Sequence, residues 1–162
     1  MDADRVVRDE LLFQLRGGHA HMSLAQAVAD FPPEAINSPA PNVSYTPWHL
    51  LEHIRIAQWD ILDFIRNPHY VYLKWPDDYW PPVARLATLA EWQATLAGFE
   101  ADLQALQAIV ADPGTDLYTP LAQGEGQNIL REILVVCDHN AYHIGEFAIL
   151  RQVCSTWPPG HR

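Results

Sequence analysis

Apolar residues recur at helical spacing in four stretches of the chain, and segments rich in proline separate most of them. In the first stretch, residues 4–30, the apolar positions are Leu11, Leu12, Leu15, Met22, Leu24 and Val28, and Gly17-Gly18 is expected to break or kink the helix. Pro32, Pro33, Pro39 and Pro41 make 31–45 a loop. The second helix starts at Thr46, a residue suited to N-capping, with Pro47 at the first helical position, where no N–H is needed. Leu50, Ile54, Ala57, Ile61, Phe64 and Ile65 carry its periodicity, and it stops before Pro68. Residues 69–82 form a connector dense in aromatics: Tyr70, Tyr72, Trp75, Tyr79 and Trp80. Thr88-x-x-Glu91 is a capping box that opens the third helix, which ends near Asp112-Pro113-Gly114. The fourth begins at Gly126 or Gln127 and runs to the region of Cys154, where Pro158 and Pro159 bar a longer run. Long helices with no convincing strand between them predict an all-α fold, a four-helix bundle.

The fourth helix is apolar on more than one side. One stripe is Ile129, Val136, Phe147 and Leu150; another is Leu130, Leu134, Cys137, Ala141, Ile144 and Ala148. A helix apolar nearly all round has to be covered on several sides. Burial within one chain and a second subunit in a homodimer both answer that need, and the pattern does not choose between them.

Two of the helices carry paired histidines. His49 and His53 are four residues apart on the second helix, and His139 and His143 four apart on the fourth, whereas random placement of eight histidines gives about 0.4 such pairs. A spacing of four leaves two side chains roughly 40° apart around a helix and one turn along it, so both imidazoles can reach one ion. A neutral imidazole is a common metal ligand. Two ligands on one helix hold an ion weakly, and an antiparallel bundle can supply a third. His53 is the better third ligand, because it borders the inward Leu50–Ala57–Phe64 face; His49 lies farther round, toward Ile56. Three protein ligands would leave coordination positions open, as catalytic and ligand-binding sites do. The competing reading of His139 and His143 is two core histidines satisfied by hydrogen bonds. His-Asn-Ala-Tyr-His lacks the glutamate that zinc proteases place after the first histidine. Glu146 shares the face of His143 and could orient a ligand or take a proton, and Glu132 lies two turns before His139 on the same side. For both, a solvated or salt-bridged role competes. His19, His21, His69 and His161 read as surface or loop residues. Trp48 and Trp59 read as packing residues; Trp75 and Trp80 could wall a pocket beside the metal, but core or interface packing is the role expected of them.

Composition changes this picture by exclusion. The 162 residues predict one domain, 1–162, and 49% hydrophobic with 19% charged residues is ordinary globular content. A net charge of −10, with Lys74 the single lysine, argues against nucleic acid or an anionic membrane surface as partner. The first ten residues lack the apolar stretch of a signal peptide, and no run is long and apolar enough for a membrane span, so a cytoplasmic location is expected. Cys137 and Cys154 form no CxxC motif and read as two small buried hydrophobes rather than a disulfide.

Thr46-Pro-Trp-His-Leu-Leu-Glu-His53-Ile, followed far downstream by His139-Asn-Ala-Tyr-His143-Ile-Gly-Glu146, resembles the DinB/YfiT-like superfamily. The specific part of the likeness covers residues 44–66 and 126–153. The resemblance implies a four-helix bundle, often dimeric, with nickel or zinc on His53, His139 and His143; His49 is outside the pattern. It also implies a choice of chemistries. In a thiol S-transferase, a low-molecular-weight thiol such as bacillithiol or mycothiol would attack a small electrophile. A metal-dependent hydrolase would activate water, with Glu146 as the catalytic base. The third reading is a non-enzymatic, metal-stabilised dimeric scaffold or small-ligand binder. Coordinating histidines must be deprotonated, so metal is expected to leave as pH falls through roughly 6 to 5.

Overall fold

The computed structural model describes residues 2–160; Met1, His161 and Arg162 lie outside it, and with them the surface reading of His161. Among the described residues the regular structure is helical throughout, with no strand. The elements are α1 (Ala3–Arg16), α2 (Leu24–Val28), a 3-10 turn (Pro33–Ala35), α3 (Pro47–Arg66), α4 (Leu89–Ala111) and α5 (Ile129–Val153). The four long helices are the all-α bundle that the periodicity predicts.

The first stretch is not one helix. Gly17 and Gly18 both have positive φ, 62° and 79°, which an α-helix cannot carry, so α1 ends at Arg16. The chain restarts as α2 behind a capping box in which the Ser23 hydroxyl accepts from the Gln26 N–H and the Gln26 side chain accepts from the Ser23 N–H. Later boundaries follow the caps more closely. Thr46 and Thr88 cap α3 and α4, and α5 starts behind Asn128, whose side chain accepts from the Arg131 N–H, rather than at Gly126 or Gln127.

Two hydrophobic clusters fill the bundle and fix the helix directions. One holds Trp48, Leu50, Leu51 and Ile54 from the start of α3, Trp92 and Phe99 from the first half of α4, and Ile144 and Phe147 from the second half of α5. The other holds Leu11 and Leu15 of α1, Leu62 and Ile65 from the end of α3, Leu106 and Val110 from the end of α4, and Ile129, Ile133 and Val136 from the start of α5. Hence α3 and α4 run in the same direction and α5 runs against both. Successive parallel helices need a long return, and residues 67–88, between α3 and α4, provide it.

Polar groups tie the layers together. Gln58, 1% exposed, donates from Nε2 to the Phe99 carbonyl (2.8 Å) and accepts from Asn140 Nδ2 (2.9 Å), so one buried chain of hydrogen bonds links α5, α3 and α4. Arg151 is fully buried; it donates to the carbonyls of Ala27, Ala29 and Thr156, and its guanidinium lies 3.8 Å from the Trp157 ring centroid. That one side chain anchors α2 and the segment around Thr156 and Trp157 to α5.

The two stripes of α5 have different fates. Ile129, Val136, Phe147 and Leu150 are all buried, whereas in the second stripe Ile144 is buried and Leu134 is 50% exposed. Trp48 is buried as a packing residue should be, but Trp59 is 41% exposed on the outer side of α3, because it lies off the stripe that meets α4 and α5.

Candidate metal centre

His53 sits on the α3 face that meets α5, two turns into the helix, and is 2% exposed. The opposite run of α5 brings His139 and His143 to the same depth, one turn apart. His53 Nε2 lies 3.2 Å from His139 Nε2 and 3.3 Å from His143 Nε2. One ligand atom from each of the three lies within 4.8 Å of the other two, so the cluster could hold a metal ion.

The hydrogen bonds behind the rings decide what they present to one another. His53 Nδ1 lies 2.9 Å from the Tyr79 carbonyl oxygen, and a carbonyl only accepts, so the ring proton is on Nδ1 and Nε2 carries a lone pair. His143 Nδ1 lies 2.6 Å from Glu146 Oε2, which places its proton in the same way. Two neutral imidazole lone pairs facing each other across 3.3 Å repel unless a cation stands between them. Nitrogens about 2.0–2.1 Å from one ion at a tetrahedral angle are about 3.3 Å apart. The donor set therefore fits a divalent ion, and His53, His139 and His143 are the residues that would hold it.

The surrounding shell favours neutral rings at His139 and His53 and holds the cluster in place. Burial pushes the His139 pKa down to about 4, with the neighbouring His143 and His53 adding to the effect. Burial lowers His53 as well. Trp80 stacks flat on His53 at a centroid distance of 3.9 Å and an angle of 5°. Tyr45 donates its hydroxyl to Glu146 Oε1, so both oxygens of that carboxylate are engaged, one by Tyr45 and one by His143. Burial and then the Glu146 hydrogen bond push the Tyr45 pKa up, which keeps it a donor.

The connector that supplies the Tyr79 carbonyl is itself clamped. Asp60, 6% exposed, accepts from the Tyr70 hydroxyl at 2.7 Å and the Tyr79 hydroxyl at 2.6 Å. A second anchor lies about three turns earlier on α3. His49 Nδ1 accepts from the Thr46 N–H (3.1 Å), and its Nε2 lies 3.2 Å from the Pro82 carbonyl oxygen. His49 is thus the closing half of the α3 capping box and a strut to the connector, with both nitrogens in use and apart from the three-histidine cluster.

Of the two acidic residues singled out in the sequence, Glu146 contacts the cluster and Glu132 does not. Glu132 is buried lower on α5, where burial raises its pKa, with Arg131 and Asp60 as its charged neighbours. His19 stacks on Phe13, His21 Nδ1 faces the Met22 carbonyl and His69 is exposed, all away from the site. Cys137 and Cys154 are both free and half-buried, and burial pushes the Cys137 thiol up to about 11. Sequence reasoning missed Tyr45, Asp60 and the Tyr79 carbonyl. A backbone carbonyl has no signature in sequence, but an aspartate at a buried helical position, Asp60, signals unseen partners.

Four long helices around a buried trio of imidazoles define a helical-bundle protein with a candidate metal centre built by α3 and α5. The family model of the DinB superfamily matches residues 18–147, and the chain belongs to that superfamily. No curated protein matches the chain. No helix among the described residues is long and apolar enough to cross a membrane.

Two expectations follow from this geometry. The folded chain binds fewer protons at His53 and His139 than the unfolded chain below the ordinary imidazole pKa of 6.5. Stability of the metal-free fold is therefore fully present above that value and declines as pH falls toward about 4. Metal release needs the same protonation, so it is expected below the window of roughly pH 6 to 5 that ordinary imidazoles would set. Elemental analysis after equilibration at stepped pH reads this, and release completed between roughly pH 6 and 5 would contradict it. Separately, Asp60→Asn should weaken zinc binding roughly tenfold or more by loosening the support of His53. Competition with a chromophoric chelator measures that, and unchanged affinity would remove the clamp's role.

Proposed function

We propose that the protein is a divalent-metal-dependent enzyme of the thiol S-transferase type, with zinc or nickel on His53, His139 and His143. The observation that carries this reading is the convergence of three Nε2 atoms, with the His53 and His143 rings held from behind by the Tyr79 carbonyl and Glu146. An all-imidazole set suits zinc and nickel, and three ligands leave room for a substrate group. Bound there, a divalent ion would lower the pKa of a thiol brought to its open position. In the overall reaction a sulfur–carbon bond forms and the electrophile's carbon–halogen bond breaks, while the halide leaves and the thiol proton passes to solvent. The thiol comes from outside the protein, because Cys137 is held protonated by burial.

The state of Glu146 favours this over hydrolysis. Activating water calls for a free base, and both Glu146 oxygens are taken by Tyr45 and His143. Glu146 acts here by orienting His143 and raising the basicity of its Nε2. The non-enzymatic scaffold is the reading that remains if no thiol reacts.

The exposed side of α5 supports a homodimer. Leu134, Val135, Tyr142, Ile149 and Val153 are 42–71% exposed along one helix. Exposed apolar residues gathered on one helix face, here with Asp138 and Arg131 among them, mark a candidate interaction site. With a net charge of −10, the protein works on a small molecule rather than on nucleic acid or a membrane surface, as one domain in the cytoplasm.

The test of the transferase reading combines metal-loaded protein, monochlorobimane and a panel of cellular thiols including bacillithiol and mycothiol. The expected outcome is metal-dependent conjugation at least roughly tenfold faster than with metal-free protein or His53→Ala, a loss of more than about 1.4 kcal/mol in barrier lowering. No acceleration with any thiol would defeat it. Sedimentation velocity at micromolar concentration tests the dimer, and a single species near 18.3 kDa would exclude it.

A further inference from the structure

Beside the histidine cluster is a cavity of about 290 Å³, lined by Ser44, Tyr45, His49, Trp80, Pro81 and Val83. It lies between the residues that lead into α3 and the returning connector. Two of its walls belong to the metal-centre shell. Trp80 stacks on His53, and Tyr45 hydrogen-bonds Glu146; their rings are 5.4 Å apart, tilted by 39°. A second cavity of about 150 Å³ lies between α1, α4 and α5, with Leu15, Phe99 and Leu103 among its lining residues.

The polar atoms of the Tyr45–Trp80 cavity are largely spoken for. His49 uses one nitrogen on the Thr46 N–H and turns the other to the Pro82 carbonyl, and the Tyr45 hydroxyl donates to Glu146. Ring and aliphatic surface remains, with one serine hydroxyl. Among the described residues no lysine, arginine or carboxylate lines the cavity, so nothing there compensates a buried charge on a ligand. An anion would also face the field of a protein with net charge −10. About 150 Å³ accommodates a benzene, so this space suits one ring or a fused pair.

We propose that this slot seats the uncharged aromatic body of the small-molecule substrate, with its reactive end reaching past the Tyr45–Trp80 edge to the histidine cluster. The inference rests on the reading that the cluster acts on small molecules, and it names the class of electrophile. Tyr45 then has two tasks: its hydroxyl steadies Glu146 and its ring forms a wall of the slot. Selectivity comes from ring stacking and from the cost of burying charge.

The experiment titrates metal-loaded protein with indole, benzoate and benzylammonium, reading binding by ligand-observed NMR and metal content on the same samples. Indole should bind in the millimolar range, with benzoate and benzylammonium each at least roughly tenfold weaker. Val83 is 75% exposed, so Val83→Arg should leave the fold and metal content intact while weakening indole roughly tenfold. Ser44→Trp, which fills the slot from the other side, should do the same. Equal or tighter binding of either charged probe overturns the assigned class, and indole binding untouched in both variants overturns the site. Failure of indole to bind protein that does hold metal defeats the slot alone. Indole binding to a protein that takes up no metal supports the slot as a site and defeats only the metal reading.

Discussion

Two imidazoles can turn lone pairs toward each other across 3.3 Å, as His53 and His143 do, only if something holds their orientation from behind, and in this protein that constraint organises everything around it. The Tyr79 carbonyl fixes the proton of His53 on Nδ1, and the Glu146 carboxylate fixes that of His143. Without those acceptors the rings would turn, share protons among themselves and present donors as readily as lone pairs. With them, His53 and His143 direct Nε2 lone pairs toward each other, beside His139 Nε2. Burial reinforces the arrangement by disfavouring the charged imidazolium, most strongly at His139.

Each acceptor depends in turn on something more distant. The Tyr79 carbonyl is where it is because Tyr70 and Tyr79 both bond Asp60 on α3, and because His49 ties the same connector to the start of that helix. Glu146 is steadied by Tyr45, from the loop that leads into α3. The returning connector is therefore more than a link between parallel helices. It supplies the carbonyl on His53, the Trp80 ring stacked on it and one side of the adjacent apolar slot. The parallel run of α3 and α4 makes that long return necessary, so the topology of the bundle and the construction of the site are one problem.

Chemistry and packing share the same helices without interfering. On α5, Ile144 and Phe147 enter the upper cluster, Ile133 and Val136 the lower one, and the two histidines occupy the face between these anchors and the connector. Rigid placement of this kind holds a ligand set more closely than a loop would. The side of α5 left over carries exposed apolar residues, among them Leu134, Val135, Tyr142, Ile149 and Val153, so packing, chemistry and open surface divide one helix.

Sequence alone determined the helices and the paired histidines, because both are local: caps, prolines and a spacing of four act within a few residues. Thr46, Pro47 and Thr88 placed two helix starts, and His53 was chosen over His49 by the inward face that Leu50, Ala57 and Phe64 define. Where two signals competed locally, as at Gly17-Gly18, the break was visible but its size was not, since positive φ at both positions could be resolved only against the packing of α2. Other features were out of reach because they depend on distant partners: the Tyr79 carbonyl, the Asp60 clamp, the Tyr45–Glu146 bond and the use of both His49 nitrogens. Tertiary structure alone decided which way each ring points and which polar atoms are already consumed, since hydrogen bonds across 10 to 101 residues leave no periodicity in the chain.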